Sequence, residues 1–147
     1  MVTSVRPVLL PDLPPKPKSC EQVVLSRVAV AELLVHGIDQ LELEQPVLAD
    51  IGTDHAYLPV YLVQKKVVKK AYAADVRKGP LLHAKEHIEQ YGLGEYIQTR
   101  LSDGGGSFVP GESEVAVIAG MGGGLMQKIL SGSPEFFEKK HTFDDWK

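Results

Sequence analysis

The chain has 147 residues, 44% hydrophobic and 24% charged, the composition of one soluble globular domain. A chain of this size buries roughly 68 to 70% of its unfolded surface. Sixteen lysines and arginines against nineteen acidic residues give a net charge of -3, so the overall basic footprint of a dedicated nucleic-acid binder is missing. No uncharged stretch reaches the roughly 18 apolar residues that span a bilayer. The single cysteine, Cys20, excludes an internal disulfide framework and suits a reducing compartment, with the cytosol (a cytoplasmic location) as the default.

Five of the ten prolines (Pro7, Pro11, Pro14, Pro15, Pro17) fall in the first seventeen residues. Proline lacks a backbone donor and fixes its own φ, so residues 1–18 read as an extended arm. From Ser19 onward Val23, Val24, Val28, Leu33 and Leu34 recur near helical spacing, and Gly37 offers a left-handed stop. Four short apolar runs follow: Val47–Ile51, 71–74, Ile97–Leu101 and 115–119. Each ends in Gly, Asp or Ser, and most lead into a helical pattern, which predicts βαβ units and a parallel sheet. The helices fall at 57–66, with Pro59 tolerated in the first turn, at 80–91, and from the glycines at 122–124 to about Leu130. The expected architecture is α/β, an open Rossmann-like parallel sheet over 19–130, with a tail at 131–147.

Ligands of open parallel sheets bind beyond the carboxyl ends of the strands. The polar residues of this chain gather there: Asp50, Gly52, Thr53, Asp54 and His55 after the first run, Asp75 after the second, Ser102, Asp103 and Gly104 after the third, and Gly120, Met121 and Gly122 after the fourth. Gly52 allows close approach of a ligand to the backbone. Asp75 stands near the spacing at which an acidic residue accepts hydrogen bonds from both ribose hydroxyls, which points to a nucleoside-bearing ligand. Asp54 takes the place of the second glycine of a dinucleotide fingerprint, and a carboxylate there repels pyrophosphate. S-adenosylmethionine carries a ribose, no phosphate and two cationic groups, so charge favours it over NAD.

Four strings also carry a resemblance: Ala49-Asp-Ile-Gly-Thr-Asp-His-Ala-Tyr-Leu-Pro59, Gly79-Pro80-Leu81, Arg100-Leu-Ser-Asp-Gly104 and Ile118-Ala-Gly-Met-Gly-Gly123. Over about 25–130 the chain resembles the bacterial tRNA (adenine-22-N1)-methyltransferase family (TrmK-like), a branch of the class I S-adenosylmethionine-dependent methyltransferases. The resemblance implies a Rossmann-like domain that binds S-adenosylmethionine and modifies N1 of an adenine in tRNA. It assigns Asp50, Gly52 and Asp54 to the methionine end of the cofactor, Asp75 to ribose, Asp103 to the adenine amine, and Gly120 to Gly122 to the floor beside the target base. Thr53, His55, Val76, Ser102, Met121 and Gly104 complete the expected cofactor set. Glycines are usual in the class at positions 54 and 56, a departure shared with the family. Beyond Leu130 no match is visible, and the core is expected to be truncated after the fourth strand. In the class strand order the edge of 115–119 would then stand open, to be covered by the tail, a partner chain or self-association, or further residues.

Methyl transfer to a ring nitrogen mainly asks the protein to align two reactants. A carboxylate nearby stabilises the cationic product or accepts a proton from its amine. Asp54 is the candidate, with Tyr57 or His55 as a platform for the base. The loop after the fourth run lacks the Asn/Asp-Pro-Pro-aromatic string of exocyclic-amine methyltransferases, which suits an endocyclic nitrogen. Arg77, Lys78 and Arg100 fall near the ligand edge and are expected at RNA phosphates, whereas Lys65, Lys66, Lys69 and Lys70 read as a solvated turn at the opposite edge. His83-Ala-Lys-Glu-His87 matches an inverted zinc-peptidase string, but no third ligand is evident. A solvated helix flank is the simpler reading, and no metal is expected. Gly104 to Gly106 read as a flexible loop. Two other functions stay open: a truncated or divergent non-catalytic relative, and an NAD-type nucleotide-binding module.

Overall fold

The structure is a computed structural model that describes residues 7–10, 20–118, 123–138 and 141–145. In chain order it contains β1 (Pro7–Leu10), α1 (Cys20–Gln40), β2 (Val47–Ile51), α2 (Tyr57–Gln64), β3 (Lys70–Asp75), α3 (Lys78–Gln90), β4 (Ile97–Leu101), β5 (Val115–Ile118), α4 (Gly123–Gly132), α5 (Pro134–Glu138) and β6 (His141–Asp145). Among the described residues no helix is long and apolar enough to cross a membrane.

The central strands β2, β3 and β5 are largely apolar because side chains alternate between two covered faces. Leu48, Ala71, Ala73, Ile97, Val115 and Val117 face one core, which Val30, Ala31, Leu34 and Ile38 of α1, Leu58 and Leu62 of α2, and Ala84 and Ile88 of α3 complete. The residues between them, Ala49, Ile51, Tyr72, Ala74, Ala116 and Ile118, face a second core closed by Phe108, Phe136 and Phe137. A one-residue slip of any central strand would exchange these two sets, so the register is firmly specified.

All pairings are parallel, and the sheet order is β1-β6-β5-β2-β3-β4. From β2 the chain winds outward through β3 to β4, then returns to place β5 on the other side of β2. The carboxyl ends of β2 and β5 therefore flank the reversal point of the sheet, where open α/β sheets form their ligand crevice.

Three departures from the sequence expectations have clear physical causes. Helix α1 runs through Gly37 to Gln40, because the buried stripe continues to Ile38 and Leu41 N donates to Gly37 O at 3.0 Å. The left-handed residue falls instead at Glu42, with φ 55°. The arm is more than an extension, since its residues 7–10 form β1. The tail supplies β6, which pairs with β5 from Val115↔His141 to Ile118↔Asp144, and β1 pairs in turn with β6. The outer edge of β5 is thus covered by this chain itself, with no partner chain required.

Candidate active site

The loop after β2 turns sharply because Gly52 sits at φ 76°, in the left-handed region that a side chain would strain. Both Gly52 N and Thr53 N donate to Ala74 O at 2.8 Å, which ties the turn to the end of β3. Two further residues of this loop, Asp54 (φ 59°) and Ala56 (φ 60°), are left-handed without being glycine. Such a conformation costs about 1–2 kcal/mol per residue, so the surroundings must hold it. Ala56 forms the cap from which α2 departs, and no side chain caps that helix.

Asp75, at the end of β3, is 3% exposed. Its Oδ2 accepts from Asp54 N at 3.3 Å, and its Oδ1 accepts from Arg77 N at 3.0 Å and from Arg77 Nε at 3.4 Å. One carboxylate thereby joins the β2 loop to the start of α3. A carboxylate offers about four acceptor positions, so Asp75 keeps capacity for hydroxyl donors beyond these partners. Asp50 and Thr53 are each 1% exposed, and Thr53 Oγ1 is buried with no hydrogen-bond partner among the described residues. Asp54 and His55 stand half-exposed above them, with Asp54 Oδ1 3.2 Å from His55 Nδ1.

A ring cluster lies along the same loop. His55 stacks on Tyr57 with centroids 5.4 Å apart and meets His83 at 5.4 Å, while His87 presents its edge to Tyr57 at 4.6 Å and to Tyr91 at 5.0 Å. His87 Nδ1 lies 2.9 Å from His55 O. The solvated-flank reading therefore fails for His87, which is half-buried and anchors the β2 loop. Among the described residues no group of three His, Cys, Asp or Glu side chains could hold a metal ion. Histidines four apart on a helix were the signal for this contact, but only the tilt of α3 toward the loop reveals what they touch.

The loop after β4 is packed and internally hydrogen-bonded. Ser102 is buried, its Oγ donating to Gly104 O at 2.7 Å and accepting from Ser107 N at 3.1 Å, so its hydroxyl organises the loop. Gly104 and Gly105 are buried, and a Cβ on Gly105 would lie 2.8 Å from the ring of Phe136. Asp103 and Val76 are exposed at the same edge, Val76 at 59%. Gly120, Met121 and Gly122 lie outside the described residues.

Arg100 departs from its expected place at RNA phosphates. Its Nη1 bonds Glu112 Oε1 at 2.7 Å, and its guanidinium lies 4.5 Å from the Tyr72 ring centroid and 4.7 Å from that of Phe108. With the side chain 19% exposed, this cation is committed to the fold. Arg77 and Lys78 remain exposed beside Asp75 at the ligand edge. Lys65, Lys66 and Lys69 are exposed in the turn between α2 and β3, at the opposite edge.

A family model described as "Methyltransferase domain" matches residues 35–143, most of the chain. The chain belongs to the methyltransferase-domain family. The match reaches into the tail and takes in the first three residues of the covering strand β6. The domain is 43% identical over 89 residues to the tRNA (adenine(22)-N(1))-methyltransferase of Bacillus subtilis, covering 60% of this chain and 37% of that protein. It superposes on the B. subtilis m1A22 tRNA methyltransferase TrmK with a TM-score of 0.66 and 37% identity, over 72% of this chain and 44% of that one. TrmK of M. capricolum, solved with S-adenosyl-homocysteine, gives a TM-score of 0.58 and 36% identity, over 67% and 45%. This methyltransferase domain has the class I Rossmann-like fold and spans less than half the length of these relatives.

Proposed function

We propose that the chain is the cofactor-binding part of an S-adenosylmethionine-dependent methyltransferase that acts on N1 of an adenine in tRNA. The observation that carries this reading is the buried Asp75 carboxylate, which closes β3 against the Gly52–Asp54 turn with acceptor capacity to spare. The residues present fit the cofactor. Asp75 suits the two ribose hydroxyls, and the orphaned Thr53 Oγ1 and the buried Asp50 lie under the loop where the methionine end would rest. Val76 and Asp103 are exposed at the edge that would meet adenine. When bound, the cofactor supplies an activated methyl group on a sulfonium. Asp54, half-exposed on its strained loop, faces the developing cation and steadies it or takes a proton from the amine. The stacked rings of His55 and Tyr57 offer a flat surface for the target base. Arg77 and Lys78 reach RNA phosphates, and Arg100 drops out of that set. The chemistry of the site, with carboxylates where a pyrophosphate would lie, disfavours a nicotinamide cofactor. A tRNA substrate and a single cysteine fit a cytosolic location.

Titration calorimetry with S-adenosylhomocysteine tests the reading. Saturable binding is expected for the chain and loss of at least about tenfold in affinity for Asp75→Ala, the worth of one charge-assisted hydrogen bond. No detectable binding would favour a non-catalytic relative, and preference for NAD would favour the dinucleotide module.

A further inference from the structure

His83 and His87 lie one turn apart on α3, and His87 alone reaches the backbone of the β2 loop. A carbonyl oxygen can only accept, so His87 donates from Nδ1 to His55 O, 2.9 Å away, and in the neutral ring the proton resides on that nitrogen. The ring is also bracketed by the aromatic groups of Tyr57 and Tyr91. The carbonyl it grips belongs to the residue between the two left-handed positions, Asp54 and Ala56. A segment of that shape has no regular ladder of its own. Its fixings are Asp75 at Asp54 N, the Ala56 N to Thr53 O bond at 3.2 Å, and His87 at His55 O. His55 Nδ1 in turn lies 3.2 Å from the Asp54 carboxylate.

We propose that His87 is a positioning residue, which sets the Asp54 carboxylate by fixing the His55 carbonyl from α3. This rests on the methyl-transfer reading, in which Asp54 faces the reacting base. His83 serves as the control, because its ring is exposed and, among the described residues, its ring neighbour is His55.

The test compares the wild-type chain with His87→Ala, His87→Asn, His83→Ala and Asp54→Asn, by methyl transfer to tRNA with kcat and KM separated and by amide hydrogen exchange at residues 54–56. His87→Ala is expected to lower kcat about tenfold with KM for tRNA within about twofold, since a small misplacement of a reacting group acts on the chemical step. Exchange at residues 54–56 should rise in the same variant. Asparagine carries a donor near the Nδ1 position, so His87→Asn should recover about a third of the lost kcat or more. His83→Ala should match wild type. Wild-type kcat and exchange in His87→Ala, beside an impaired Asp54→Asn, would overturn the positioning role while leaving the function intact. A fully active Asp54→Asn would instead sink the role of Asp54, with exchange still reporting on the grip of His87. Should His87→Ala fail to fold, the nitrogen resonances of wild-type His87 decide, and a neutral ring protonated only at Nε2 overturns the proposal.

Discussion

Asp54 and Gly105 show what single positions contribute. Asp54→Asn keeps the shape and left-handed tolerance of the residue but removes its charge, so methyl transfer should fall about 100-fold, well beyond any loss of S-adenosylhomocysteine affinity. Parallel calorimetry and single-turnover assays check this, and unchanged turnover would remove Asp54 from the reaction. Gly105 matters through what it lacks. A Cβ there would also meet Ser133 Cβ at 3.0 Å and Phe137 Cε2 at 3.1 Å, and the buried rings behind it cannot retreat. Gly105→Ala should therefore cost about 1–3 kcal/mol in urea unfolding. Gly94→Ala, where nothing lies within 4 Å, should stay within about 0.5 kcal/mol.

Among the elements, the join between β4 and the following loop depends on the Arg100–Glu112 pair. The hydrogen bond from Arg100 holds the Glu112 carboxyl below its ordinary value of 4.5, and Glu112 raises the Arg100 guanidinium above its own. Glu112 also accepts from Val109 N at 3.0 Å. A carboxylate with a depressed folded pKa stabilises the protein above its unfolded pKa, and that stability disappears as pH falls through the folded value. Wild type should exceed Glu112→Gln by about 1–2 kcal/mol at neutral pH. The gap should close progressively below pH 4.5 in thermal melts taken across acid pH. A pH-independent gap would mean that shape, not charge, makes the contact. The packing of Arg100 is not legible in the sequence. Its partners Glu112, Tyr72 and Phe108 come from a loop and a neighbouring strand, and no local pattern announces them. Strands β2 and β4 were legible residue for residue, because apolar runs closed by Asp, Gly or Ser leave few alternatives. Asp75 was legible because it closes the apolar run of β3, and Asp50 because it stands one residue before the end of β2. β1 and β6 were not, since four or five residues of mixed character become strands only through partners far along the chain. The contact of His87 with the β2 loop escaped in the same way, since its partner His55 O lies 32 residues away in sequence.

In the whole molecule, β6 completes the sheet where the apolar strand β5 would otherwise end it. Val115, Ala116, Val117 and Ile118 are fully buried. A chain shortened after residue 138 would leave their outer backbone groups unpaired, a template for pairing with another copy. It should melt at lower temperature and form larger species with rising concentration, as light scattering would record. A monodisperse, equally stable short chain would show that β6 is dispensable.

The pairing of Pro7 with Thr142 also governs when the molecule can be finished. Within this sheet, β1 is made first and its neighbour β6 last, so β1 has no mate while residues 11–140 are synthesised. β2, β3 and β4 can assemble early from close neighbours, whereas one margin of the sheet closes only after residue 145 has left the exit tunnel. Until then, residues 7–10 are open to any passing chaperone.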